Sequence, residues 1–154
     1  MNILVTGGCG FIGSNFILKL IKSKNINIIN LDKLTYAGNE KNLHNILGGK
    51  NYEFINGDIC NPKIVNDLIG NFKPNIIVNF AAESHVDRSI TGPMPFVQTN
   101  IVGTAVLLEA SLKYYQNLKF EKFKNFKFIQ ISTDEVFGSL GIEGFFNEDT
   151  PYNP

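Results

Sequence analysis

The chain has 154 residues, 44% of them hydrophobic, with 14 basic against 14 acidic side chains and a formal net charge of zero. That length and apolar content suit one domain with a buried core and argue against disorder. Neutrality excludes the basic footprint that nucleic acid or an anionic membrane surface demands, so a small-molecule partner is expected.

The opening residues Met1-Asn2-Ile3-Leu4-Val5-Thr6 lack a basic start, and glycines break the apolar run at once, so the stretch does not read as a signal peptide. No segment reaches the length of a membrane span. Cys9 and Cys60 lie far apart, and neither has a second Cys or His at metal-ligand spacing, so neither a metal site nor a disulfide framework is expected. A reducing cytoplasm is the expected compartment.

Five apolar runs, at residues 3–5, 26–31, 52–55, 76–80 and 126–131, are rich in Ile, Val or Phe and predict strands buried on both faces. After the first, Phe16, Ile17, Leu20 and Ile21 recur at three-to-four spacing opposite Asn15, Lys19, Lys22 and Ser23, which predicts an amphipathic helix. A shorter helix is expected over residues 39–47. Asn61-Pro62 reads as an N-cap with proline at the first helical position, opening a helix toward Phe72. A long helix should start near Pro93 or Pro95, with Val97, Ile101, Ala105, Leu108 and Leu112 as its apolar stripe. No repeat or linker divides the chain.

Strands alternating with helices predict an α/β fold: a Rossmann-type, doubly wound parallel sheet whose ligand sits at the carboxyl ends of the strands. Ser132-Thr133-Asp134-Glu135 falls at such an end. Gly7, Gly10 and Gly13 follow the first strand and open the first helix, with one residue more between the first two glycines than in the usual dinucleotide fingerprint. A tight turn, a close pyrophosphate and a helix N-terminus all ask for glycine here. Asp32 ends the second strand about twenty residues on, where a carboxylate bonds ribose hydroxyls and repels a 2′-phosphate. NAD is therefore expected over NADP, although Lys33 softens the preference. At the third strand end, Asp58 and Ile59 suit an adenine amino group and ring; a helix-capping aspartate beside a core isoleucine is the plainer alternative. Phe80-Ala81-Ala82 ends the fourth strand with small residues that let a flat cofactor lie against the backbone.

These pieces resemble the extended short-chain dehydrogenase/reductases, and within them the N-terminal part of the dTDP-glucose 4,6-dehydratase family. The resemblance runs through residues 7–13, 32–39, 81–90, 99–104 and 131–138, nearly the whole chain. It implies a cofactor resting on Phe11, Ile12, Asp32, Lys33, Leu34, Thr35, Asp58, Ile59, Phe80, Ala81, Ala82, Glu83, Ser84 and Thr99 beside the glycines. It also implies that Ser84 and Thr133 contact the nucleotide sugar, dTDP-glucose or a related one. The family oxidises the sugar at C4, removes water across C5 and C6, and returns the hydride to C6. By resemblance Glu135 removes the C5 proton, Asp134 protonates the departing C6 hydroxyl, and Thr133 bonds the C4 hydroxyl. Two carboxyls in a closed pocket repel, which would keep one of them protonated at neutral pH. A polar cluster capping a following helix remains the structural alternative.

His44 is expected at the surface and His85 near the pocket, neither in a catalytic role. Asp87 and Arg88 are expected as an ion pair or as part of a dimer contact, a homodimer being the family habit. Cys9 stands where alanine is usual, and Phe137 where tyrosine is commoner. The resemblance places a Tyr-x-x-x-Lys pair, the last strands and a C-terminal substrate domain beyond Pro154; none of Tyr36, Tyr114 and Tyr115 is taken as a substitute. Residues 1–154 alone are thus expected to form an incomplete NAD-binding domain without appreciable dehydratase activity, prone to self-association along the strand at 126–131. A short NAD-binding module without chemistry, or another nucleotide-sugar dehydratase or epimerase, stays open as an alternative.

Overall fold

Among the described residues five parallel strands form the sheet: β1 (Asn2–Thr6), β2 (Asn27–Asp32), β3 (Tyr52–Asn56), β4 (Ile76–Asn79) and β5 (Lys127–Gln130), in the order β3-β2-β1-β4-β5. The computed structural model describes residues 1–118 and 125–154. Chain order reverses direction between β1 and β4, where a doubly wound sheet opens a crevice at its carboxyl edge.

Alternate side chains of β1 enter different layers. Ile3 and Val5 pack with Ile17 of α1 (Phe11–Leu20), while Leu4 packs with Val65 and Ile69 of α2 (Pro62–Phe72) and Leu107. The expectation of strands buried on both faces holds for β1 and, nearly throughout, for β2 and β4, but fails for β3 and β5. Both lie at sheet edges, and Ile129 keeps 40% of its surface exposed. An aliphatic run alone does not distinguish an edge strand from a central one.

The Asn61-Pro62 signal is realised: the Asn61 side chain accepts from the backbone N–H groups of Lys63 and Ile64, and Pro62 opens α2. The segment at 39–47 forms a 3₁₀ helix, Glu40–Ile46, capped by Asn39. After α3 (Val86–Thr91), the long helix begins as the short α4 (Met94–Phe96), widens to a π-helical turn over Val97–Gly103, and continues as α5 (Thr104–Gln116). Its predicted apolar stripe is on the wrong face. Val97, Ile101, Ala105, Leu108 and Leu112 are exposed, and the buried residues are Thr99, Gly103, Leu107, Ala110 and Ser111. Most of the buried face is small because the helix packs close. A Cβ on Gly103 would stand 2.6 Å from Ile59 Cδ1. Hydrophobicity therefore marked the outward face.

Candidate functional site

The glycine loop is shaped by contact with the neighbouring strand end. Gly7 takes φ +68°, and a Cβ there would lie 2.5 Å from the backbone nitrogen of Ala81. Gly13 sits in the first turn of α1, where a Cβ would come within 2.5 Å of the Gly7 carbonyl oxygen. Gly10 is the N-cap, and no side chain caps the turn it opens, so the first amides of α1 face open space beside the exposed Phe11 and Ile12.

Asp32 is buried at the end of β2. Its carboxylate accepts from the N–H of Cys9 at 2.9 Å and from that of Leu34 at 2.8 Å, fixing the glycine loop to β2 while leaving lone pairs for hydroxyl donors. Lys33 Nζ is held away from this carboxylate: it lies 3.5 Å from Asp58 and donates to Thr99 Oγ1 at 3.1 Å. Burial pushes the Asp58 carboxyl up, but hydrogen bonds from Cys60 and the Lys33 charge outweigh it, and the net shift is downward. Asp58 does not cap α2, which is the task of Asn61; it accepts instead from the Cys60 N–H at 2.8 Å. Ile59 is a core residue, 3% exposed, with an edge on the same hollow.

Two adjoining hollows run along the carboxyl edge. The first is lined by Gly7, Gly10, Asp32, Lys33, Thr35, Asp58, Ile59, Thr99 and residues 80–83. The second, wider and open, carries Gly7, Gly10, Phe11, Ile12 and Gly13 on one wall and Ser132, Thr133, Asp134 and Glu135 on the other, with Phe80, Ala81, Ala82, Glu83 and Ser84 between them. Leu34 lines neither. It has φ +55° and packs on the core, so only its backbone serves the site.

Asp134 and Glu135 open a 3₁₀ turn, Asp134–Phe137, whose cap is Thr133: its Oγ1 accepts from the Glu135 N–H at 3.3 Å and donates to Asp134 at 3.4 Å. The capping alternative is therefore part of the geometry, and the same turn presents both carboxylates to the cleft. The pocket is open rather than closed, since residues 132–135 are all exposed. Phe137 stacks on Phe146 and Tyr152 at 5.2 and 5.6 Å between ring centroids, which holds the turn from behind.

His44 is at the surface, with Nδ1 2.8 Å from the Lys41 carbonyl oxygen. His85 is exposed beside the ring of Tyr36. The expected Asp87–Arg88 ion pair does not form; Arg88 lies over the Tyr36 ring at 3.7 Å, joining α3 to the loop after β2. One tyrosine–lysine pair with the four-residue spacing does stand inside the chain, Tyr115 and Lys119, which the reading of the tyrosines passed over. Tyr115 packs on Phe126, beside Tyr114, whose hydroxyl donates to the Pro74 carbonyl below the amino end of β4, away from the cleft. Lys119 lies outside the described residues.

Sequence reading missed three asparagines. Asn30, fully buried, accepts from the Gly8 N–H at 3.0 Å and donates to Cys9 Sγ at 3.4 Å and to the Tyr52 hydroxyl at 3.0 Å. Asn100 holds the Glu83 backbone by both its N–H and its carbonyl, at 2.8 and 2.9 Å. Asn79 joins three strand ends. It also overlooked Ala37 and Gly38 in the lining of the first hollow, although they lie within the matched segment 32–39. Among the described residues there is no group of His, Cys, Asp and Glu able to hold a metal, and no helix long and apolar enough to cross a membrane.

The model of the family described as GDP-mannose 4,6 dehydratase matches residues 4–154. A probable dTDP-glucose 4,6-dehydratase of Sinorhizobium fredii is 49% identical over all of this chain and 44% of its own length. The crystal structure of dTDP-glucose 4,6-dehydratase from Bacillus anthracis, in complex with NAD, superposes with a TM-score of 0.84 at 44% identity, over 100% of this chain and 44% of that one. The enzyme of the same name from Streptomyces venezuelae, also with NAD bound, gives 0.85 at 39%, over 100% and 46%. The chain thus spans less than half the length of these relatives and aligns with their N-terminal part. Its parallel sheet is the Rossmann-type sheet of those structures. The match over nearly every residue establishes that the chain belongs to the GDP-mannose 4,6 dehydratase family.

Proposed function

We propose that this chain carries the NAD site and the elimination pair of a dTDP-glucose 4,6-dehydratase, and that residues 1–154 form its cofactor-binding domain. The observation that supports this reading is the single cleft walled by the glycine loop on one side and by Thr133, Asp134 and Glu135 on the other.

The residues present fit the cofactor. The Gly7–Ala81 approach leaves no room for a Cβ, the uncapped start of α1 suits a pyrophosphate, and Asp32 keeps acceptor capacity for ribose hydroxyls while opposing a 2′-phosphate. Phe11 and Ile12 supply amides to the phosphates. Lys33, Thr35, Asp58, Ile59 and Thr99 bound the adenine end, and residues 80–84 floor the nicotinamide end. When bound, NAD supplies reversible hydride acceptance. Thr133 and Ser84 orient the sugar, Glu135 takes the proton from C5, and Asp134 gives one to the departing C6 hydroxyl, so that water leaves and the protons balance.

The partner is dTDP-glucose or a related nucleotide sugar. The exposed stripe from Val97 to Leu112 suits a second copy of the chain, in a homodimer. A reducing cytoplasm suits two free thiols. With Tyr115 outside the cleft, the chain by itself binds NAD without turning over sugar.

The test is a fusion of this chain to the complementary C-terminal part of the Bacillus anthracis relative. Formation of 4-keto sugar from dTDP-glucose is expected, falling by about two to four powers of ten with Glu135→Gln while NAD binding persists. A fusion that binds both ligands and yields no 4-keto sugar would refute the reading.

A further inference from the structure

A row of polar side chains crosses the sheet beneath the cleft. Thr6, Asn79 and Gln130 are the register partners that end β1, β4 and β5. Asn79 Oδ1 accepts from the Thr6 hydroxyl and from the Ala81 N–H, the latter at 3.2 Å. Its Nδ2 donates to Gln130 Oε1 at 2.8 Å, and Gln130 Nε2 donates in turn to the Ile131 carbonyl at 3.2 Å. Thr6 and Asn79 are fully buried, so each must find partners inside the protein. The partners found are not arbitrary. Thr6 precedes the glycine loop, Ala81 lies on the floor of the cleft, and Gln130 and Ile131 precede Ser132.

We infer that Asn79 is a positioning residue: its amide sets the turn bearing Thr133, Asp134 and Glu135 at a fixed place relative to the glycine loop. Among the described residues β5 pairs with β4, and Ile129 and Gln130 are exposed at its carboxyl end. Backbone pairing alone, through the Ile131 N–H to the Asn79 carbonyl at 3.1 Å, fixes the strand but not the direction in which the chain leaves it. The Gln130 amide, bound at one end to Asn79 and at the other to the Ile131 carbonyl, fixes that exit. The inference rests on the proposed reading of the cleft, in which the two walls must meet one substrate.

Hydrogen exchange on the purified protein, with and without NAD, tests it through Gln130→Met, a near-isosteric change at an exposed position, and Gln130→Glu, which keeps the acceptor for Asn79. Without NAD, the amides of residues 132–137 are expected to exchange about fivefold faster in the Met variant, the worth of one net hydrogen bond, and to fall between the Met variant and wild type in the Glu variant, which keeps the acceptor for Asn79 but loses the donor to the Ile131 carbonyl, with global stability unchanged. At saturating NAD, wild type gains more protection at 132–137 than the Met variant does. Equal exchange in wild type and the Met variant, or a loosening spread evenly over the sheet, would overturn the inference. Failure of NAD to bind would instead overturn the cofactor reading, while exchange without NAD still decides the role of Asn79.

Discussion

Lys33 Nζ stands 3.5 Å from the Asp58 carboxylate and reaches Thr99 as well, so one ammonium ties the ends of β2 and β3 to the π-helical turn. Folding lowers the Asp58 carboxyl below its ordinary 3.8. Its contribution to stability is therefore fully present above that pH and is lost as acid protonates it below. Asp58→Asn should flatten the acid side of a plot of Tm against pH. Identical acid slopes in variant and wild type would show that the carboxylate does not contribute.

Asp32 supports two structures at once, since its oxygens hold the Cys9 and Leu34 amides and face the first hollow. Asp32→Ala should weaken NAD binding by about tenfold to a hundredfold, the loss of charge-assisted hydrogen bonds, and narrow the preference over NADP. It should also lower stability by about 1–3 kcal/mol through the orphaned Cys9 amide. Calorimetric titration with each nucleotide, beside urea unfolding, separates the two effects.

Burial, with the Asp32 charge behind it, pushes the Cys9 thiol up to about 11, and its surface is fully covered. At neutral pH it should resist alkylation, because the thiolate is the reactive form. Cys60, less buried, should label first, and Cys9 only on unfolding. Mass mapping after a timed iodoacetamide pulse reads the order directly; early modification of Cys9 would mean that the glycine loop opens.

Ile101 and Leu108 expose 63% and 48% of their surfaces on one side of the long helix. Ile101→Asp with Leu108→Asp should shift sedimentation toward monomer. Because neither side chain is in the core, stability should change by only about 0.5 kcal/mol per site. A wild-type chain already monomeric at high concentration would argue against the homodimer.

The sheet was legible because its strands are continuous Ile, Val and Phe runs, and α2 because Asn61-Pro62 is a capping signal with one meaning. The cleft was legible because glycines and carboxylates fall at successive strand ends. The face of the long helix was not, since close packing against Ile59 and α2 selected Thr99, Gly103, Ala110 and Ser111, which a hydrophobic stripe does not register. Asn30, Asn79 and Asn100 were invisible for another reason. A single amide has no period, and its value lies in partners 17 to 73 positions distant in the chain.

The π-helical turn over Val97–Gly103 makes chain length itself a requirement of the cleft. A π turn holds an extra residue relative to an α-helix, and each residue turns an α-helix by about 100°. Deleting one position here would let the backbone relax into regular α-helix, a gain in local geometry. Thr99 would then swing away from Lys33, and Asn100 from the Glu83 peptide it clasps. A single-residue deletion in this stretch should thus do more harm than substituting either side chain, because it undoes both ties in one step.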